Sequence, residues 1–303
     1  MIQKVNELNF ESKKIAMIIA GVPGIGKTTL ALSSPKPLLV DLDDGLDRVE
    51  ASFRKDRIVC KDYDELMNDL NTDLSDYETL VIDTGGKLLN FLKPVVIKQD
   101  AKNGQRNGEL SLKGYGAVKK AFSNFVNFVK GKDKNLIMIF HASEVNLAND
   151  VVGLRIRIEG SSKDEVWDDM DLGGFVEMIG NERHISFSNN DRFYAKGTHG
   201  ISGSWKIPTL KVGSENNFIT NLFTAYNNNL KQETEQYNAY LKVMEYKSTI
   251  EQLSTLESVK NAFKHIQEIE HILSSKTELW FALTEKAKSL GFKYDKTTNN
   301  FIE

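Results

Sequence analysis

Residues 21 to 28 read Gly-Val-Pro-Gly-Ile-Gly-Lys-Thr, and no other stretch constrains the fold of this chain as tightly. The run fits Gly-x-x-x-x-Gly-Lys-Thr. It follows the apolar Ile15-Ala-Met-Ile-Ile-Ala20 and precedes Thr29-Leu-Ala-Leu, so a strand turns through a glycine-rich loop into a helix. Glycines let the backbone curl with its N–H groups pointing at phosphate oxygens, and the helix start adds positive potential. Lys27 is expected to reach the β and γ phosphates, and Thr28 to put its hydroxyl on a magnesium ion. Gly21, Val22, Pro23, Gly24, Ile25, Gly26, Lys27, Thr28 and Thr29 are therefore the expected binding set for ATP and Mg2+, and the expected activity is that of a magnesium-dependent ATPase.

A metal-holding carboxylate should end a neighbouring strand, and Thr79-Leu-Val-Ile-Asp83 supplies it. Thr28 and Asp83 are thus the expected metal pair. Hydrolysis also needs a group that orients water. Asp41, Asp43, Asp44 and Asp47 crowd the end of the run Pro37 to Asp41, and spacing alone does not choose among them. Further short apolar runs at Arg57 to Cys60 and Leu136 to His141 alternate with helical patterns, which predicts an α/β fold with a mainly parallel sheet. Tyr115, Val118, Phe122, Phe125 and Val129 mark one apolar helix face. Gln99 to Gly114 and Glu144 to Gly174 read as long polar loops, and loops of that length are usually functional or disordered. His184 to Phe187 and Arg192 to Gly197, flanking Ser-Asn-Asn-Asp, read as a hairpin.

After about Asn217 helical periods replace strands, so the expected division is an ATPase domain over 1–216 and a helical extension over 217–303. A long helix is expected from Phe218 to Lys247. Two capping boxes follow, Ser254-Thr-Leu-Glu257 and Ser275-Lys-Thr-Glu278, the second helix stopping at Gly291. A net charge of −3 leaves any attraction to nucleic acid local rather than global. One cysteine, Cys60, excludes an internal disulfide, and five scattered histidines argue against structural zinc. No apolar stretch approaches the ~20 residues of a membrane span and no signal-like start is seen, so a cytoplasmic location without membrane partners is expected.

These motifs resemble the RecA-like recombinases, and more closely the phage ATPases called Sak-type single-strand annealing proteins, over roughly residues 12 to 200. Val40-Asp-Leu-Asp-Asp-Gly-Leu-Asp47 is similar to the segment whose acidic residue activates water, which implies Asp43. His141 is similar to the polar sensor that ends the matching strand. Asp171-Leu-Gly-Gly-Phe-Val-Glu-Met, Arg183-His-Ile-Ser-Phe and Phe193-Tyr-Ala-Lys196-Gly also fit, and imply Lys196 as a finger reaching a neighbour's γ-phosphate. The resemblance implies a homo-oligomer, ring or filament, acting on single-stranded DNA in phage-type recombination or replication. A mobile segment after the sensor strand would meet the DNA through Arg155, Arg157 and Lys163, with Lys102, Arg106 and Lys113 as the alternative, and the C-terminal helices would meet a single-strand-binding protein. A helicase or loader, or a nucleotide-gated interaction module, are the rival readings.

Overall fold

The structure is a computed structural model that describes residues 13–146, 152–158, 166–269, 271 and 274–303. Its centre is β1 (Ala16–Gly21), all six residues of which are buried, as expected of a strand covered on both faces. Beside β1 lie β2 (Pro37–Asp41), the short β3 (Arg57–Ile58), β4 (Thr79–Asp83) and β5 (Asn135–Asn146). They pair in parallel in the order β3-β2-β4-β5-β1. The registers set Asp41 opposite Asp83, Asp83 opposite Ile139, and His141 opposite Gly21. Residues far apart in sequence therefore share the carboxyl edge of one sheet, where parallel α/β folds bind their ligands.

Helices α1 (Lys27–Ala31), α2 (Tyr63–Leu70), α3 (Gly85–Gln99) and α4 (Leu112–Gly131) connect these strands. The hydroxyls of Thr84 and Ser111 cap α3 and α4 by accepting from Lys87 N and Gly114 N. On α4, Val118, Phe122, Phe125 and Val129 are buried as their spacing requires. This is the α/β core with a mainly parallel sheet that the sequence predicts, and helices follow it.

Several local expectations are corrected. Cys60 is buried but lies beyond β3. β5 does not stop at His141 but runs on to Asn146 and pairs antiparallel with β6 (Val152–Ile156), so part of the expected loop is a β-ribbon. Downstream, β7 (Leu172–Ile179) lies parallel to β1, and β8 (Glu182–Ser186) and β9 (Ser204–Lys206) add antiparallel strands beyond it. The hairpin is thus β7 with β8 around Gly180-Asn181, rather than β8 with 192–197. The stretch expected to be its second arm instead returns to β7, where Lys196 and Gly173 exchange backbone hydrogen bonds of 2.8 and 2.7 Å. Close approach explains the paired glycines of β7. A Cβ on Gly173 would stand 2.2 Å from the Trp167 ring, and one on Gly174 2.3 Å from Ile185.

The chain divides into two compact units within α5 (Phe218–Glu251), between residues 228 and 229. In the first unit Ile219, Leu222, Phe223 and Tyr226 are buried, and Ile219 N donates to Ser33 Oγ. The second unit, described over 229–269, 271 and 274–303, includes α6 (Leu256–Glu268), α7 (Ser275–Ser289) and a small hairpin of β10 (Lys293–Asp295) and β11 (Asn300–Ile302). Val243, Ile250, Val259, Phe263, Leu279, Leu283 and Phe301 form its core. The capping boxes shift. Thr255 and Ser258, not Ser254 and Glu257, cap α6 reciprocally, and Ser274 precedes α7 with its hydroxyl donated to Glu278. Gly291, at φ 85°, follows α7 as expected. No described helix is long and apolar enough to cross a membrane.

Candidate nucleotide site

The loop between β1 and α1 has the backbone that curling round an anion requires. Gly24 and Gly26 take φ of 77° and 90°, and a Cβ on Gly21 would meet the Val176 carbonyl oxygen at 2.8 Å. Lys27 is buried, and its Nζ donates to the Val22 carbonyl at 2.8 Å. Burial lowers its pKa to about 8, opposed by the charge of Asp83 and aided by that of Arg157. Thr28 Oγ1 donates to Asp83 Oδ2 at 2.6 Å. Burial raises the Asp83 carboxyl above its ordinary value; the Thr28 hydrogen bond and Lys27 pull it back, while Asp41 and Asp43 push it up.

One pocket gathers Gly24, Gly26, Lys27, Thr28, Thr29, Asp43, Asp83 and His141, with Arg48 on its rim. The acidic turn sorts itself by hydrogen bonding. Asp41 is buried and accepts from Gly45 N, Leu46 N and Arg57 Nη1, all between 2.8 and 3.1 Å, so it is committed to holding the turn. Asp44 pairs with Arg57 at 2.9 Å and its side chain is 82% exposed. Asp43 faces the pocket and is paired only loosely, with Arg48 at 3.6 Å and Lys87 at 3.9 Å. His141 has a buried Nδ1 with no hydrogen-bond partner, and burial followed by the charge of Lys27 lowers its pKa, keeping the ring neutral near pH 7.

A magnesium nucleotide fits these residues. The glycines of the loop take the left-handed backbone that a phosphate cradle uses, the Lys27 ammonium makes one hydrogen bond among the described residues, and His141 presents an orphaned ring nitrogen. Among the described residues no cluster of three or more His, Cys, Asp or Glu side chains could hold a metal alone. A magnesium ion at Thr28 and Asp83 would therefore draw the rest of its oxygen shell from phosphate and water.

Other expected residues fall outside this pocket. The Lys196 bridge to Gly173 is level with Ile18 of β1, three residues short of Gly21, and Lys196 Nζ donates to the Trp167 carbonyl at 3.1 Å. Arg155 spends its guanidinium on the carbonyls of Leu154 and Arg192, both at 3.0 Å. Arg157 differs. Its N–H donates to the His141 carbonyl at 2.7 Å, its charge is felt at Lys27 and His141, and the residue joins Thr84, Lys87, Asn90, Lys93 and Tyr115 in lining a second pocket beside α3. Lys163 lies outside the described residues. Sequence reasoning missed Arg183 on β8, whose Nη1 would stand 2.4 Å from a Cβ on Gly26. Its only sequence signal was its place within the resembling segment.

A family model described as an AAA domain matches residues 13–199. No curated protein matches the chain. Among solved structures, a KaiC-like protein of Pyrococcus horikoshii OT3 aligns at 12% identity and a TM-score of 0.38, over 64% of this chain and 89% of its own. A second solved structure, the ATPase domain of another protein, aligns at 14% identity and a TM-score of 0.29, over 64% of this chain and 80% of its own.

Proposed function

This chain belongs to the AAA domain family, and on that premise we propose that its hydrolysis of ATP requires magnesium and is coupled to the handling of single-stranded DNA, as in phage-type recombination or replication. That the chain is a P-loop ATPase follows from the family together with the phosphate loop. The further reading rests on one observation. β5 carries His141 at the base of the phosphate loop, and through the 2.7 Å bond from Arg157 N to the His141 carbonyl it is tied directly to a pocket with three cations, Lys87, Lys93 and Arg157, and an aromatic ring, Tyr115. Cations that track a backbone and an aromatic face that takes a base are the two parts single-strand binding needs. The Arg157 guanidinium has no ion-pair partner among the described residues.

In this reading Lys27 and the loop N–H groups bind and orient the triphosphate, while Thr28 and Asp83 hold the metal. Magnesium, when bound, neutralises phosphate charge and orders the oxygens around it. Asp43 is the carboxylate available to hold a water, because Asp41 and Asp44 are spent on the turn. His141, neutral, offers its nitrogen to whatever occupies the γ end and transmits that state along β5. A role for Lys196 requires a second copy of the chain, since it lies outside its own pocket; we keep it as the finger of a homo-oligomer. The C-terminal unit, which exposes Tyr237, Tyr240 and Met244 on α5, is the surface we assign to a single-strand-binding protein.

ATP turnover with and without single-stranded DNA tests the coupling. Stimulation that disappears in high salt is expected. Turnover indifferent to DNA, with no DNA bound in either nucleotide state, would remove the DNA reading and leave the nucleotide-gated interaction module.

A further inference from the structure

We propose that Arg183 is a phosphate-binding residue acting within its own chain, closing the phosphate loop on the β8 side and contacting the phosphate nearest the nucleoside. The inference rests on the reading of residues 21 to 28 as a nucleotide site. Its first ground is contact. Gly26 stands at φ 90°, and the space its missing Cβ would fill holds Arg183 Nη1, 2.4 Å from the Cβ position. A guanidinium is thus laid directly against the backbone that cradles phosphate. The second ground is that Arg183 is a partly buried residue whose guanidinium has no hydrogen-bond or ion-pair partner among the described residues. A desolvated cation without a counter-ion is costly, and an anion placed beside it recovers that cost.

The third ground is direction. Asp43, Asp83 and His141 all stand on the β4 and β5 side of the loop, which identifies the end where the metal and terminal phosphate belong. The other end of a nucleotide must leave past α1 on the opposite side. There Arg183 lines a small cavity with Thr29, Ile207, Pro208 and Asn216. The walls are fixed. The Arg183 carbonyl accepts from Ile207 N at 2.8 Å, and Asn216 Nδ2 donates to the Thr29 carbonyl at 2.9 Å. Arg183 therefore joins the loop to a wall beside α1 that offers apolar surface to a nucleoside.

The test compares Arg183→Ala and the length-preserving Arg183→Gln with Lys27→Ala, using fluorescent ADP and ATP analogues for Kd and steady-state turnover for KM and kcat. Both Arg183 variants should weaken ADP and ATP by the same factor, about 10- to 100-fold for a lost charge-assisted contact, with the loss falling on KM more than on kcat. Arg183→Lys should recover part of the affinity. Unchanged Kd in both Arg183 variants, alongside lost binding in Lys27→Ala, would overturn the proposal while keeping the site. A loss confined to ATP would also overturn it, by placing the guanidinium at the γ end. Normal binding in Lys27→Ala would instead sink the underlying reading of the loop.

Discussion

In the proposed reading, Lys27 bears on both the stability and the activity of this protein. Its pKa of about 8 lies below the ordinary value of 10.5 because burial penalises the ammonium. Between those two values the unfolded chain keeps a proton that the folded chain has released, so stability rises with pH through that window. Below pH 8 the folded protein carries a desolvated charge that costs on the order of 1–3 kcal/mol. Lys27→Met should therefore raise the Tm of the nucleotide-free protein at pH 7 by a few degrees, read by calorimetry, while Lys27→Ala or Lys27→Met abolishes ATP turnover. In the wild type, ATP affinity should fall as pH climbs above about 8, because binding then has to recruit a proton. An unchanged Tm and a flat affinity between pH 7 and 9.5 would show that the ammonium is not desolvated in this site. The residue roles here were legible to different depths. The run ending in Lys27-Thr28 names its own chemistry, and Asp83 ends an apolar strand, but which aspartate of the turn faces the pocket depended on Arg57, sixteen residues from Asp41 in sequence and bonded to it at 2.8 Å.

At the scale of elements, the extension of β5 into the β5–β6 ribbon changes where the cations point. Alternation along Arg155-Ile156-Arg157 was visible in the sequence, and Ile156 is indeed buried. Which arginine is occupied was not, because the Arg155 guanidinium is taken up by the carbonyl of Arg192, thirty-seven residues away. The ribbon therefore singles out Arg157, with Lys87 from α3. Removing both, Arg157→Ala with Lys87→Ala, should weaken single-stranded DNA binding and lower the salt slope by roughly 1.4, at about 0.7 per phosphate contact. Arg155→Ala alone should change the slope little. Filter binding or fluorescence anisotropy at several salt concentrations decides, and equal slopes in the double variant and wild type would clear this pocket of the role. The β7–β8 hairpin teaches the same lesson about turns. Gly180-Asn181 between alternating runs is itself a two-residue hairpin signal, with Gly180 at φ 60°, but Ser-Asn-Asn-Asp is the more conspicuous polar cluster. That cluster does make a turn, with Asn190 Oδ1 accepting from Arg192 N and Phe193 N, yet its two arms form no ladder with each other among the described residues: β8 pairs along β7 from Phe175 to Ile179, and Lys196 bonds to β7 at Gly173.

For the whole molecule, the division inside α5 predicts where the chain tolerates shortening. A protein ending at residue 228 keeps Ile219, Leu222, Phe223 and Tyr226 in the first unit, and keeps Asn227, whose side chain accepts from Lys13 N at 3.0 Å. It should remain folded and retain basal ATP turnover, whereas ending the chain at 216 strips those four apolar side chains from the core and should leave an insoluble product. Circular dichroism and turnover of the two shortened chains are the check, and an active 1–216 protein would show that the start of α5 is dispensable. The sequence by itself determined the phosphate loop, the parallel α/β class, the acidic strand end and a helical C-terminal part, because each is written in local spacing and each local preference agrees with the fold. Tertiary structure decided the rest. It bonds Asp41 and Asp44 into the turn and leaves Asp43 at the pocket, and it spends the Arg155 guanidinium on nearby carbonyls. It also brought Arg183 against Gly26, because a strand added beyond β7 delivers that side chain across some 157 residues of chain. Contacts of that kind arise from strand order and register, which depend on the packing of the whole sheet and leave no periodic mark in the residues that make them.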